Sequence, residues 1–498
     1  AALLVWPIAA LLAVLLERGY TRALRQEKTF RAGRAFAFML ACYVPMFCVA
    51  FPGSFAYDVP YQLRQVVTGA YSTHHPLLHT LALGGLLQLG RALGDINLGA
   101  ALYTALQMAL LAGCFALTCG SIARQSGARA AKRAAVFFAL YPLNMVMAVN
   151  ATKDVLFGGF FALTLALLNE IREKPSRGLA LKIAACGALA VMLRNNMAYA
   201  TLVWLAILTL GLRKAEKSAA LAMLLALAVG LCGNAALKRA TRAESGDMSE
   251  MLSWPIQQLA RARLYDEDRL TDAEKEAIDE LMPGEAWACY DPTISDPVKF
   301  EFDTQAFRAD VKKYVGVWLS VGKKCAGTYL DATMALTYPF FYPYREYRVS
   351  GYYVQMGMSD AYDAGWCDFD PPESRSLFPR ALASLSWRFG AKGAMQIPVV
   401  GWLFNMGVIV WTMLFFALRE MYWGRWRRFG TALLPVLLWG TFLLGPVMAG
   451  RYIYPFVCAL PVLAARPGRI VNVNGKVSDT QESQIPAGIR GGYRHEIG

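Results

Sequence analysis

Long apolar runs separated by short polar connections dominate the pattern of this chain of 498 residues. Runs of spanning or near-spanning length lie at residues 1–16, 35–51, 97–118, 134–149, 155–169, 179–193, 198–212, 218–235, 395–417, 431–449 and 453–465. An apolar stretch of about 20 residues can cross the hydrocarbon core of a bilayer as a helix. Together with 56% hydrophobic residues and a mean hydropathy of +0.34, these runs predict an all-α polytopic membrane protein.

Five connections between the runs concentrate positive charge. They lie at residues 17–34, 121–133, 170–182, 213–217 and 419–428. Basic connections stay in the cytoplasm, and all five can do so only if the apolar stretch 77–93 does not cross the bilayer. A polar stripe at helical spacing predicts that this stretch is an interfacial helix. The stripe consists of Thr80, Gly84, Gln88 and Arg91. The net charge of +14 therefore indicates membrane topology and not nucleic-acid binding.

One long polar segment, residues 236–394, predicts a separate domain. It contains more acidic than basic residues, whereas the rest of the chain is basic, and the topology places it outside the cytoplasm. The predicted organisation is a transmembrane region at 1–235 with a first extracytoplasmic loop at 52–96, a mainly helical extracytoplasmic insert at 236–394, C-terminal transmembrane helices at 395–465 and a disordered cytoplasmic tail at 466–498. Cys289, Cys325 and Cys367 fall in the insert, and their odd number leaves a disulfide pairing open.

The segment between residues 51 and 80 concentrates ionisable side chains. It holds a single carboxylate, Asp58, and three of the four histidines of the chain, His74, His75 and His79. Ionisable groups at the edge of a membrane segment are costly to place, which favours a functional site. The alternative is a solvated loop whose polar residues form turns and helix caps.

Other short connections on the same predicted side carry charged and amide side chains. They contain Lys153, Asp154, Arg194, Asn195, Asn196, Arg451 and Tyr452. Cations, a carboxylate and imidazoles at a membrane surface suit a ligand with an anionic head and an apolar tail, such as a polyprenyl-phosphate sugar. Arg451, Arg194 and Lys153 are expected to bind its phosphate. Asp58 is expected to act as the general base that accepts the proton of an attacking hydroxyl.

Further contacts to the donor or acceptor are expected from a larger group of polar residues. These are Gln62, His74, His75, Asp154, Asn195, Asn196, Tyr452, Gln257, Gln258 and Arg261. The last three lie in the insert, where packing within the domain is an open alternative. A divalent cation held by Asp58, His74 and His75 is a further possibility, but two adjacent histidines are a weak metal pattern, so no cofactor is assigned.

Several motifs carry a resemblance to known proteins over residues 35–460. The motifs are FPGSFAYDVPYQ, HHPLLHT, ATKDVLF, LRNN, the segment from MLSWPIQQLARA to YDPTISDPVKF, and GRYIYPF. The chain resembles the GT-C superfamily of multi-pass glycosyltransferases, and more closely a bacterial membrane family of glycosyltransferase type that is mainly of unknown function. Many GT-C enzymes have paired acidic residues in the first loop, whereas this loop has Asp58 alone, which leaves metal dependence open.

The resemblance implies a location in the bacterial cytoplasmic membrane with the active site on the extracytoplasmic face. It also implies a lipid-phosphate sugar donor, a glycan, lipid or protein acceptor, and inversion at the anomeric carbon with Asp58 as base. Two other functions stay open. One is a transporter or flippase of lipid-linked sugars, and the other is a surface-polysaccharide polymerase or ligase that uses a diphosphate-linked donor.

Overall fold

The protein is an all-α membrane protein. The computed structural model describes residues 30–56, 58–211, 216–246, 248–343, 356–358, 371–389, 397 and 399–466. In these ranges loops connect the helices, and a few isolated β-bridges pair loop residues with one another. The predicted span at 1–16, Cys367 and nearly all of the predicted tail lie outside the described residues.

The first ten helices form the N-terminal part of the bundle. They are α1 (Ala32–Val49), α2 (Val59–Thr68), α3 (Leu77–Ala92), α4 (Ile96–Ser126), α5 (Ala128–Leu140), α6 (Pro142–Ala148), α7 (Lys153–Glu173), α8 (Arg177–Leu193), α9 (Asn195–Gly211) and α10 (Lys217–Thr241). Among the described residues, α1, α4, α7 and α10 are long and apolar enough to cross a membrane. At ~1.5 Å per residue, the 31 residues of α4 exceed an apolar core of about 30 Å, so this helix extends beyond it.

Helix α7 lies at the centre of the bundle. It packs against α4 and α8, and also against the C-terminal helix α20 (Tyr454–Ala464). Glycines allow two of these approaches, because a Cβ atom at Gly158 would lie 2.9 Å from the Cys458 sulfur and one at Gly159 would lie 3.2 Å from the Cys114 Cβ. This central position fixes the first turn of α7, where Lys153 and Asp154 lie.

Six helices form most of the described insert, a further one lies near its C-terminal end, and three more follow it. The insert helices are α11 (Ser253–Tyr265), α12 (Asp272–Leu281), α13 (Asp296–Lys299), α14 (Thr304–Ala309), α15 (Val311–Lys324) and α16 (Ala326–Thr337). The later helices are α17 (Pro379–Phe389), α18 (Met406–Tyr422), α19 (Trp426–Phe442) and α20. The insert has a hydrophobic core of its own, and its chain touches the bundle where Ser295 N donates to Pro446 O at 2.9 Å.

Several boundaries differ from the sequence-based expectation. The predicted run 134–149 is two helices that break at Tyr141, because the residue before a proline avoids the helical region. Helix α10 continues to Thr241, beyond the apolar run that was expected to end at residue 235. In the segment YDPTISDPVKF the two prolines favour extended chain with turns, because each restricts the residue before it. Its second half instead forms the helical turn α13, with Pro297 in the first turn where its missing N–H costs nothing.

Two expectations about the loops can be compared with the structure. Residues 77–92 do form a helix, α3, but Thr80 and Gly84 of its predicted polar stripe are buried, and only Gln88 and Arg91 are exposed. In the insert, Thr271 and Glu274 form a capping box at the start of α12, as their spacing indicates. Cys289 and Cys325 are free thiols.

Candidate functional site

Asp58 lies at the start of α2 and is directed into a cluster of cationic groups. It occupies the N-cap position, yet its side chain makes no capping hydrogen bond to the helix. The carboxylate is therefore available to other side chains, and 22% of it is exposed. Lys153 Nζ donates to Asp58 Oδ2 at 2.8 Å, and Arg451 Nη2 donates to Asp58 Oδ1 at 3.1 Å.

His75 completes the surroundings of this carboxylate. Its Nδ1 lies 3.6 Å from Asp58 Oδ2 and 3.5 Å from Lys153 Nζ. Burial, aided by the charge of Lys153, lowers the pKa of His75 to about 3 against the opposing effect of Asp58. His75 is therefore neutral at neutral pH, and its Nδ1 accepts a hydrogen bond from Lys153.

Asp58 itself is strongly biased towards its ionised form. Burial raises the pKa of the carboxyl, but the charges of Arg451 and Lys153 outweigh burial and hold that pKa well below its ordinary range. The free site therefore presents a carboxylate that is already neutralised by two cations. Any anion that draws these cations away would make Asp58 more basic.

A second carboxylate extends the cluster behind the first. Asp154 is fully buried, and its Oδ1 lies 2.7 Å from Arg194 Nε. Its Oδ2 lies 3.7 Å from Arg451 Nε, so Arg451 stands between Asp58 and Asp154. Arg194 was predicted to bind phosphate, but in this structure its charge is directed at Asp154.

Two aromatic rings enclose the guanidinium of Arg194. Its Cζ lies 4.5 Å from the ring centroid of Phe442 and 4.6 Å from that of Tyr452. Tyr452 also lies 5.6 Å from Arg451 Cζ. Cation–π contacts of this kind hold a guanidinium in place without using its N–H donors. Tyr452 was predicted to contact the donor or acceptor, and in this structure its ring contacts Arg194 and Arg451.

A buried chain of hydrogen bonds connects the helix that begins beside Asp58 with the turn that precedes Lys153. Gln62 Nε2 donates to His79 Nδ1 at 2.9 Å, so the ring proton is on Nε2, which contacts Tyr103 Oη at 2.9 Å. Tyr103 donates to Gln107 Oε1 at 3.1 Å. Gln107 Nε2 then donates to the carbonyls of Ala148 and Asn150 at 3.0 and 2.8 Å. The chain therefore links α2, which begins beside Asp58, to the turn before Lys153.

The remaining predicted residues of the bundle lie around this centre. His74 is exposed, and its ring packs edge-on against His75 with centroids 4.6 Å apart. Asn195 is exposed at the start of α9, and Asn196 donates to Thr441 Oγ1 at 3.1 Å. Gln62 is buried and donates to Thr80 as well as to His79, so it supports the site without facing a ligand.

The three predicted residues of the insert have mostly packing roles. Gln257 is buried and donates to the carbonyl of Asp291 at 2.9 Å, which holds the loop that docks on Pro446. Gln258 is buried and accepts from Trp318 Nε1 at 2.9 Å. Arg261 is partly exposed and lies over the rings of Tyr265 and Tyr290 at 5.1 and 5.6 Å. Packing is thus the better interpretation for both glutamines.

A divalent cation has no evident ligand set in the described part of the chain. No group of three or more His, Cys, Asp or Glu side chains is placed there to hold a metal ion. Both carboxylate oxygens of Asp58 face cationic side chains instead.

Phe442 and Tyr103 were missed by the sequence-based selection, and His79 was noted but given no role. Their contacts are to residues on other helices or distant in the sequence. The ring of Phe442, for example, contacts Arg194, which lies 248 positions earlier in the chain (442 − 194). An aromatic residue at the end of an apolar run carries no signal for such a contact. His79 lies 17 positions from Gln62 and 24 from Tyr103, and sequence spacing carries no signal for either contact.

Fold and site together define a class: an all-α polytopic membrane protein with a cluster of buried ion pairs at one end of its helices. The chain belongs to a family of unknown function, DUF6020, whose model matches residues 66–473. No curated protein and no solved structure matches the chain.

Proposed function

We propose that this protein is a membrane glycosyltransferase that moves a sugar from a polyprenyl-phosphate donor to an acceptor outside the cytoplasm. The observation that carries the proposal is the carboxylate of Asp58 held between Lys153 and Arg451 at 2.8 and 3.1 Å. A potential base and two phosphate-binding cations thus lie within one hydrogen bond of each other. The resemblance to GT-C enzymes supports the same assignment.

The proposed orientation follows the distribution of charge. The site residues Lys153, Arg194 and Arg451 lie at one end of α7, α8 and α20. Arginines lie at the other end: Arg172 is in the last turn of α7, Arg124 of α4 pairs with Glu170 near the end of α7, and Arg419 of α18 donates to Leu463 O at the end of α20. The positive-inside rule puts the arginine-bearing end in the cytoplasm. The ionic cluster and the insert then lie on the extracytoplasmic face, where the lipid-linked donor presents its sugar.

The proposed reaction is a displacement at the anomeric carbon. An acceptor hydroxyl gives its proton to Asp58, and its oxygen forms the new bond to the anomeric carbon. The bond from that carbon to the phosphate oxygen breaks, and polyprenyl phosphate leaves with the electron pair. Lys153 and Arg451 stabilise the negative charge that grows on the leaving phosphate.

The ion pairs of the free site also give the donor a way to activate the base. A phosphate that binds Lys153 and Arg451 competes with Asp58 for them. The pKa of Asp58 then rises towards its ordinary value, so the carboxylate becomes a stronger base only when a donor is present. Arg194 and Asp154 form the support behind Arg451.

The test is donor turnover by arginine variants in purified protein. Arg451→Ala removes a contact that strengthens as the phosphate leaves, so the activation free energy should rise by about 2–4 kcal/mol. The kcat/KM for a labelled polyprenyl-phosphate hexose should therefore fall roughly 30- to 1000-fold. Arg451→Lys keeps the charge without the planar fork and should fall between wild type and Arg451→Ala. Arg194→Ala should reduce turnover as well, since it releases Asp154 towards Arg451.

The matched control is Arg375→Ala. Arg375 is half-exposed and forms an ion pair with Asp95 at 2.7 Å, and an exposed pair of this kind contributes little. Its turnover should equal that of wild type. Unchanged kcat/KM in folded Arg451→Ala and Arg194→Ala protein would remove the phosphate assignment.

A further inference from the structure

Two consecutive helices of the insert each expose large apolar residues four positions apart, which together are called the apolar stripe. On α15 it consists of Val311, Val315 and Leu319, and on α16 of Leu330 and Met334. Each of these residues exposes between 40 and 56% of its surface. Single exposed apolar residues are common, but five aligned on adjoining helices form a surface that needs a partner.

The stripe lies on the side of α15 that faces away from the insert. Tyr314 and Val321 lie about 100–120° around the helix axis from the centre of the stripe and are buried in the core of the insert. Lys324 Nζ fastens α15 to α12 through Glu274 Oε2 at 2.7 Å, and Lys313 does so through Glu280. The helix is therefore held rigidly with its apolar stripe outward.

The end of α16 lies at the boundary of the membrane bundle. Leu336 and Phe340 are fully buried in the same core as the membrane helices, whereas Tyr329 belongs to the core of the insert. The carbonyl of Phe341 accepts from Trp411 Nε1 at 2.8 Å, near the start of α18. Leu330 and Met334 thus lie within about two helical turns of the point where the chain enters the bundle.

Two lysines border the stripe on α15. At ~100° per residue, Lys312 and Lys323 fall within about 40° of Leu319 around the helix axis. All four lysines of α15 are exposed, but Lys313 and Lys324 are paired with glutamates. An apolar stripe edged by lysine is the pattern of a helix that lies in the headgroup region, with its ammonium groups near lipid phosphates.

We propose that α15 and α16 lie on the bilayer leaflet at the site end, with the stripe in the acyl boundary and Lys312 and Lys323 on anionic headgroups. The partner is a lipid surface, because Leu330 and Met334 lie close along the chain to Leu336, which is buried in the bundle core, and because exposed lysines border the stripe on α15. The contact holds the insert against the membrane above the ionic cluster. It depends on the membrane class of the protein and not on the transferase proposal.

Site-directed spin labelling of the full-length protein in vesicles tests this contact. After Cys232 and Cys289 are replaced by serine, one nitroxide is placed at Leu319 or Leu330 through a new cysteine. The vesicles contain phosphatidylcholine with phosphatidylglycerol. Both labels should be more accessible to oxygen, which partitions into lipid, than to a water-soluble nickel chelate. A label at Glu276, exposed on α12, is the control and should show the reverse preference.

Two outcomes would overturn the contact. Nickel accessibility at Leu319 and Leu330 equal to that at Glu276 would show that the stripe lies in water. Low accessibility to both reagents would show that protein covers it. For the charged edge, Lys312→Glu with Lys323→Glu should lower the oxygen preference at Leu319 in vesicles with phosphatidylglycerol, and an unchanged preference would contradict the role of the lysines.

Discussion

The chemistry proposed for Asp58 depends on a contrast between the free and the occupied site. In the free site Lys153 and Arg451 hold the carboxylate in its ionised form, and His75 remains neutral beside it. A carboxylate with such a low pKa is a poor base until its cations find another anion. The same two cations therefore have two successive partners, first Asp58 and then the phosphate of the donor.

This arrangement predicts the pH dependence of donor use. The pKa of Asp58 lies well below its ordinary value and that of His75 is about 3, so neither group changes protonation between pH 7 and pH 5. Because kcat/KM reports on the free enzyme, it should stay level across this range. Initial-rate measurements at low donor concentration check this. A tenfold fall between pH 7 and pH 5 would show that a group with an ordinary histidine pKa controls the site.

At the scale of helices, the site depends on elements that meet only in three dimensions. Asp58 stands at the start of α2 and Lys153 at the start of α7, and neither helix determines the position of the other. The hydrogen-bond chain from Gln62 through His79 and Tyr103 spans this gap. Every donor in the chain has an acceptor, which is what a buried polar network needs in order to be rigid.

The chain predicts an effect of Tyr103→Phe on catalysis beyond its effect on stability. Removing the hydroxyl leaves His79 Nε2–H and Gln107 Oε1 each without a partner, which should cost about 1–3 kcal/mol of stability. It should also let Lys153 shift relative to Asp58. A shift of ~1 Å in a catalytic group should lower kcat by about tenfold or more. Thermal unfolding and donor turnover of the purified variant measure the two effects.

Tyr43→Phe is the matched control. Tyr43 is also fully buried, and its hydroxyl donates to the carbonyl of Phe138 at 2.8 Å, away from the ionic cluster. This variant should lose stability but keep kcat. Equal kcat in both variants would show that the chain through Tyr103 has only a structural role.

At the scale of the whole molecule, the membrane fold was predictable because its signal is local. Apolar length and periodicity identified the helical runs, and Thr271 with Glu274 marked the start of α12. The break at Tyr141 also has a local signal, Pro142, but this proline lies inside an apolar run that was interpreted as one helix. Burial of Thr80 was not predictable, because it depends on Gln62 of another helix.

The composition of the site was predictable in part, for a topological reason. Loops on one side of a bilayer share a surface, so Asp58, Lys153 and Arg451 were expected on one face, and the structure brings them into contact. The pairing of charges within that face was not predictable. Arg194 was assigned to phosphate, but the packing of α7 against α8 directs it to Asp154. Such choices depend on distances that sequence spacing does not contain.

The most direct test of the central claim is sugar transfer by Asp58→Asn. Asparagine keeps the size of the side chain but cannot accept the proton, so folded variant protein should still bind the donor while transfer falls by about 100-fold or more. Asp95→Asn is the matched control, since Asp95 is a partly exposed N-cap of α4 and asparagine caps equally well. Its transfer rate should match that of wild type.

A transfer assay distinguishes an enzyme from a transporter. Purified Asp58→Asn protein in lipid vesicles is given a labelled polyprenyl-phosphate sugar and cell-envelope acceptors. The account predicts normal melting temperature, retained donor binding and loss of the transferred product. Near-normal transfer by the folded variant would contradict both the role of Asp58 and the proposed glycosyltransferase. A second result would also contradict the proposed glycosyltransferase: wild-type protein moves the intact lipid-linked sugar across the vesicle membrane but transfers no sugar to an acceptor.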